Sequence, residues 1–137
     1  MRLVKFFLFI ILSMGFITPM ASAKRSAPVR VEPVVYNNIR YTAPIFSQSS
    51  GHKQLGGYIE AWDIKTNKKL WELKVYDIKY DPGLERDVQE IYIDSLRIDL
   101  GHLIVTNEAG EEYEVELATQ RVKKRSNNRS KESVLVK

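Results

Sequence analysis

From Tyr58 onward the chain alternates apolar and polar residues one by one, and every such run is cut short by a turn signal. A period of two is the mark of a strand with one face buried and one wet, and it excludes a helix as the repeating unit. In GYIEAWDI, Tyr58, Glu60 and Trp62 oppose Ile59 and Ala61, with Ile64 following. In KLWELKVYDIKY, Lys69–Tyr80, Trp71, Leu73 and Val75 oppose Leu70, Glu72, Lys74 and Tyr76. Three more short runs follow: EIYIDSLRIDL (Glu90–Leu100), HLIVTNE (from His102) and EEYEVEL (Glu111–Leu117), with RVKK after a further turn at Ala118-Thr119-Gln120. Connections this short join antiparallel neighbours, so the pattern predicts a β-meander. Upstream, VVYNNIRYTAPIF (Val34–Phe46) is rich in β-branched and aromatic residues and reads as strand, and the glycines and serines of Ser47–Gly57 read as loop. Leu84–Glu90 is the one place where a helical turn is expected.

Two segments 53 residues apart match: GYIEAWDIKTNK, starting at Gly57, and GEEYEVELATQR, starting at Gly110. Asp63 corresponds to Glu116, Thr66 to Thr119, Asn67 to Gln120 and Lys68 to Arg121. Each copy reads as strand, acid, Thr-led turn, strand, and a repeat on this scale suggests propeller blades or a related array.

The first copy resembles the tryptophan-docking motif of quinoprotein-like β-propeller blades, Ala-x-Asp-x-x-Thr-Gly-x-x-x-Trp. Ala61, Asp63, Thr66 and Trp71 stand at its positions, and Asn67 replaces its glycine. Asp63 and Thr66 are suited to bind turn amides. Asn67 is the next most tolerant residue after glycine for the positive φ that the motif implies. Trp71 is expected to lie across the sheet on the small Ala61; an ordinary hairpin with a buried tryptophan is the other reading of these residues. The resemblance covers about Gly57–Val122, and Val34–Phe46 could supply the first two strands of an earlier blade. It implies an all-β fold of about two propeller-blade-like four-stranded sheets. Closed propellers need ~4–8 blades. Two cannot close a ring, which implies a binding or scaffold role, with strand edges open to a protein partner or to self-association. Larger relatives hold pyrroloquinoline quinone and Ca²⁺ on the axis of a complete ring. This chain has neither the axis nor a vicinal cysteine pair, so no cofactor is expected.

The ends have a different character. Arg2 and Lys5, the apolar run Phe6–Ile17, Pro19 and the small residues Ala21-Ser22-Ala23 form the three-part pattern of a secretory signal helix, residues 1–23, cleaved after Ala23. An uncleaved anchor is the alternative, although the run is short of the ~20 residues of a spanning helix. Export across the inner membrane, to the periplasm or beyond, follows. With no cysteine anywhere, the domain must hold by packing alone, and thiol catalysis and cysteine-bound metals are excluded.

Residues 24–33 read as an extended arm, 34–122 as the β domain and 123–137 as a basic, disordered tail. Residues 121–137 carry seven Lys/Arg against one acid, whereas 24–120 carry 12 against 16, a net of −4. The tail cations Lys123, Lys124, Arg125, Arg129 and Lys131 are therefore a candidate site for anionic lipid or glycan; an exported chain seldom meets nucleic acid. Asp77, Asp81, Glu85, Asp87 and Glu90 lie in the longest insertion between strands. They match no calcium-loop register and make this segment the candidate partner loop. His52 and His102 each follow glycine in a turn, and no nucleophile or phosphate-loop motif accompanies them, so a non-enzymatic module is expected.

Overall fold

The computed structural model describes residues 25–45 and 51–126; the signal segment and the tail beyond Ser126 lie outside them. Eight strands follow in chain order: β1 Val34–Tyr36, β2 Ile39–Thr42, β3 Tyr58–Asp63, β4 Lys69–Lys74, β5 Ile93–Asp99, β6 His102–Asn107, β7 Glu112–Glu116 and β8 Arg121–Lys124. They form two four-stranded antiparallel meanders, β1-β2-β3-β4 and β5-β6-β7-β8. The fold is all-β, and the one helical element among the described residues is a single 3-10 turn, Asp87–Gln89, inside the segment where a helical turn was expected.

The two halves share one turn plan. β1 and β2 are joined by Asn37-Asn38, both at positive φ (49° and 62°), and β5 and β6 by Leu100-Gly101 (48° and 82°). Two consecutive left-handed residues give the type I′ turn, whose twist suits a hairpin. That turn splits the expected run Val34–Phe46 into two strands. Between β3 and β4, Asp63 Oδ1 accepts the Thr66 N–H at 2.7 Å and the Thr66 hydroxyl at 3.0 Å, and Asn67 follows at φ 51°. Between β7 and β8, the Thr119 hydroxyl donates to Glu116 Oε2 at 2.6 Å, and Gln120 follows at φ 58°. The matched pairs at the 53-residue offset are thus equivalent positions in equivalent hairpins. The β1–β2 and β5–β6 turns are offset by 63 residues instead, because the second half is shorter between its second and third strands.

The strand expected over Lys69–Tyr80 stops pairing at Lys74. The Val75 N–H still donates to the Gly57 carbonyl at 2.8 Å, and then the Gln54 side chain takes over as partner. It accepts the Ile78 N–H at 3.0 Å and donates to the Tyr76 carbonyl at 2.8 Å and the Gly56 carbonyl at 2.9 Å. One buried amide thereby completes the backbone hydrogen bonds of a segment leaving one sheet for the other.

One apolar cluster unites both sheets. Tyr41, Ile59 and Ala61 come from the first, and Leu103, Val105, Tyr113 and Val115 from the second. Ile93 of β5, Val75, Tyr76 and Ile78 of the connection and Val31 of the arm complete it. The Tyr76 and Tyr113 rings stack with centroids 5.1 Å apart. Ala61 pairs with Trp71 across β3 and β4, and the half-buried indole packs against the core beside Tyr41, centroids 5.9 Å apart. The arm is strapped down: Arg25 bonds the Glu90 carbonyl and the Glu108 carboxylate and lies over the Tyr92 ring.

Candidate protein-binding surface at the long-loop end

The topology divides the molecule into two ends. The four tight turns, with all five non-glycine residues of positive φ among the described residues, occupy one end. The connections β2–β3, β4–β5 and β6–β7 occupy the other, where Glu90 is the hub. Only 4% exposed, its carboxylate accepts the Leu55 and Gly56 N–H groups on Oε2 at 3.1 and 3.2 Å and the Tyr80 hydroxyl on Oε1 at 2.5 Å. Gly56 has to be glycine here, since a Cβ would stand 2.3 Å from the Ile91 carbonyl oxygen. Burial, and then the bond to Glu90, push the Tyr80 phenol up to about 12, so it remains a donor at any physiological pH.

The acidic segment 77–90 is organised from within. Asp81 opens a turn by accepting the Gly83 N–H on Oδ1 at 2.8 Å and the Leu84 N–H on its carbonyl at 3.1 Å. The Gln89 amide nitrogen donates to the carbonyls of Asp81, Leu84 and Glu85, each at 3.1 Å, while its oxygen accepts the Asp81 N–H at 2.6 Å. Arg86 lies over the Tyr80 ring, 4.3 Å from its centroid, and bonds the Lys53 carbonyl. Order of this kind normally accompanies burial of apolar groups. Here Leu84 is 59% and Val88 48% exposed, with Leu55 exposed on the adjoining loop. Beside them runs an open groove of about 1160 Å³, lined by His52, Tyr58, Lys74, Tyr80, Pro82 and Arg86 among others.

Of the five acids singled out in the loop, Asp77, Asp81, Glu85 and Asp87 are exposed, and Glu90 is turned inward as the hub. Asp77 pairs with Lys74. Among the described residues no group of three His, Asp or Glu is placed to hold a metal ion. The histidines stand at opposite ends, His52 in the β2–β3 loop and His102 at the start of β6. His52 meets Glu72 at 2.9 Å and stacks on Tyr58 at 4.0 Å, and His102 meets Glu114 at 2.7 Å.

In the β3–β4 turn, the Thr66 bonds, backbone first, hold the Asp63 carboxyl below its ordinary value. Of the tail cations, Lys124 pairs with Glu111, and Arg125 lies 3.6 Å from both Asp99 and Glu112; Lys123 is exposed, and Arg129 and Lys131 lie outside the described residues. The outer sheet edges carry lysines, Lys69 and Lys74 on β4 and Lys123 and Lys124 on β8, a device that discourages edge-to-edge pairing. Sequence reasoning missed Gln54, Gln89 and the inward role of Glu90, because neutral amides and acids in polar loops look alike before folding. No family model matches the chain, and no match emerges among curated proteins.

Proposed function

We propose that this chain is an exported, non-catalytic binding module of two quinoprotein-like blades that engages a protein partner through its long-loop end. The resemblance of Ala61, Asp63, Thr66 and Trp71 to the docking motif, and the equivalent hairpin in the second half, support the blade reading. Two sheets enclose no axis, which favours recognition over cofactor chemistry. The observation that carries the partner surface is the loop 77–90, held by the four hydrogen bonds of Gln89 while it presents Leu84 and Val88 to solvent. A rigid surface with projecting apolar anchors loses little entropy on association, and such anchors carry most of the energy of an interface. The lysine-bearing sheet edges make edge pairing the weaker route.

The test is affinity capture of the tagged, exported protein from its native envelope, comparing wild type with Leu84→Lys/Val88→Lys. Both side chains are exposed, so the double variant should melt with wild type. Loss of a stoichiometric partner in that variant supports the reading. Equal capture by both proteins, or a wild type that captures only copies of itself, overturns it.

A further inference from the structure

The solvent face of the first sheet carries a second groove, of about 900 Å³, with a lining separate from that of the first. Trp62 lies in it. In register across the sheet, Arg40 of β2 stands opposite Trp62 of β3, and Lys69 of β4 stands opposite Trp62 on its other side. The guanidinium and the ammonium each lie 6.0 Å from the indole centroid. The indole is pinned by its own N–H, which donates to Glu60 Oε2 at 3.0 Å; the same carboxylate accepts the Thr42 hydroxyl at 3.4 Å and Lys69 at 3.2 Å. Arg30 of the arm lines the same groove, exposed and without an ion-pair partner among the described residues. Lys69 also meets Glu72 at 3.4 Å, so three cations stand against two carboxylates, a local excess of one positive charge on a body, 24–120, whose net charge is −4.

We infer that this groove binds an acidic saccharide whose carboxylate is attached to the sugar ring, a uronate. A fixed aromatic ring that stays partly exposed is a platform for a ring that is apolar on one face and polar at its rim. A pyranose offers its C–H face to the indole and its hydroxyls to Thr42 and Glu60. The two cations flank the same indole from the neighbouring strands, so the anion they meet must be carried on the ring that contacts it. A nucleotide carries its charge on a phosphate beyond the sugar, past the reach of a cation bracketing the base. A lipid surface needs apolar side chains that project, and Trp62 is recessed and tied by its N–H. Arg30, farther along the groove, is placed for the carboxylate of a neighbouring sugar in a chain.

The experiment is calorimetric titration of the full exported chain with a galacturonate tetrasaccharide, in parallel with a neutral glucose tetrasaccharide, a four-nucleotide oligothymidylate and phosphatidylglycerol vesicles. The expected result is saturable binding of the galacturonate alone, with Kd of about 0.1–1 mM. Trp62→Ala should weaken it at least about tenfold, and Arg40→Gln and Arg30→Gln about threefold or more each. Arg30→Gln touches an exposed side chain and leaves folding intact, so it stays informative if Trp62→Ala fails to fold. Leu84→Lys/Val88→Lys should bind the saccharide as wild type does, which separates this site from the partner surface. Absence of saturable binding up to about 10 mM, equal binding of the neutral saccharide, tighter binding of the oligonucleotide or vesicles, or indifference to Arg30→Gln would overturn the assignment.

Discussion

Gln54→Ala tests how the two sheets are joined. The Gln54 side chain is buried and makes three hydrogen bonds, to the Tyr76 carbonyl, the Ile78 N–H and the Gly56 carbonyl. The segment it serves enters the shared core through Val75, Tyr76 and Ile78. Truncation to alanine leaves these backbone groups without a protein partner, at about 1–3 kcal/mol each when buried. The sum overstates the loss, because the vacated volume adjoins the open groove and admits water that can bond some of them. A net loss of about 2–4 kcal/mol is expected. For a domain of about this size, 1 kcal/mol moves Tm by roughly 4–8 °C, so Tm should fall by about 10–25 °C. Gln54→Glu preserves the volume but turns a second oxygen on two carbonyls, and it should be at least as damaging at neutral pH. Thermal unfolding followed by far-ultraviolet circular dichroism gives the shift, and amide exchange at Ile78 should accelerate in the folded state. A Tm within about 3 °C of wild type for Gln54→Ala would show that the amide is not the partner of this segment.

Three further perturbations probe the rest of the fold. Trp71→Ala should cost about 2–3 kcal/mol in urea unfolding, below the range for a fully buried tryptophan because the indole is half-buried; an unchanged midpoint would remove it from the core. Leu100 is 96% exposed at φ 48°, so Leu100→Asn should relieve strain and stabilise by about 0.5–1 kcal/mol, and a fall in Tm would contradict that. Glu111 is held down to about 2 from an ordinary 4.5, first by Lys124 and then by Asn107 and Tyr113. Its folded-state value is depressed, so its contribution is complete above pH 4.5 and fades as pH falls towards 2. With the side chain 37% exposed, solvent screening limits that contribution to about 1 kcal/mol. Glu111→Gln should flatten the acid limb of the stability curve within that window, and an identical limb would mean that the pair with Lys124 does not hold in solution.

The strand plan was legible because it is local. Alternation marked the buried faces of β3, β4 and β7, and turn residues marked the tight reversals after β3, β5 and β7. Asn67 was readable as a left-handed residue from its place in the motif, and the 53-residue match carried that reading to Gln120, at φ 58°. The candidate site was legible only as a segment. That 77–90 is a displayed loop follows from its composition, but what orders it does not. Gln54, Gln89 and Glu90 act through side-chain bonds to distant or non-repeating backbone groups, and nothing in the neighbouring residues distinguishes such an amide from a solvated one. The capture of Arg25 by Glu90 and Glu108 spans 65 and 83 residues and was invisible for the same reason. Trp62 was legible only as one of the alternating set Tyr58, Glu60 and Trp62. Alternation had placed it on the face opposite Trp71, and only the register shows it bracketed by Arg40 and Lys69.

The most direct test is a hydrogen-exchange footprint of the full chain with and without a captured protein partner. The account predicts slowed exchange across 51–58 and 77–90, with the hairpin turns 63–68 and 116–121 unchanged. Protection confined to those turns or to the β4 and β8 edges, with the long-loop end exchanging as in the free protein, would contradict it.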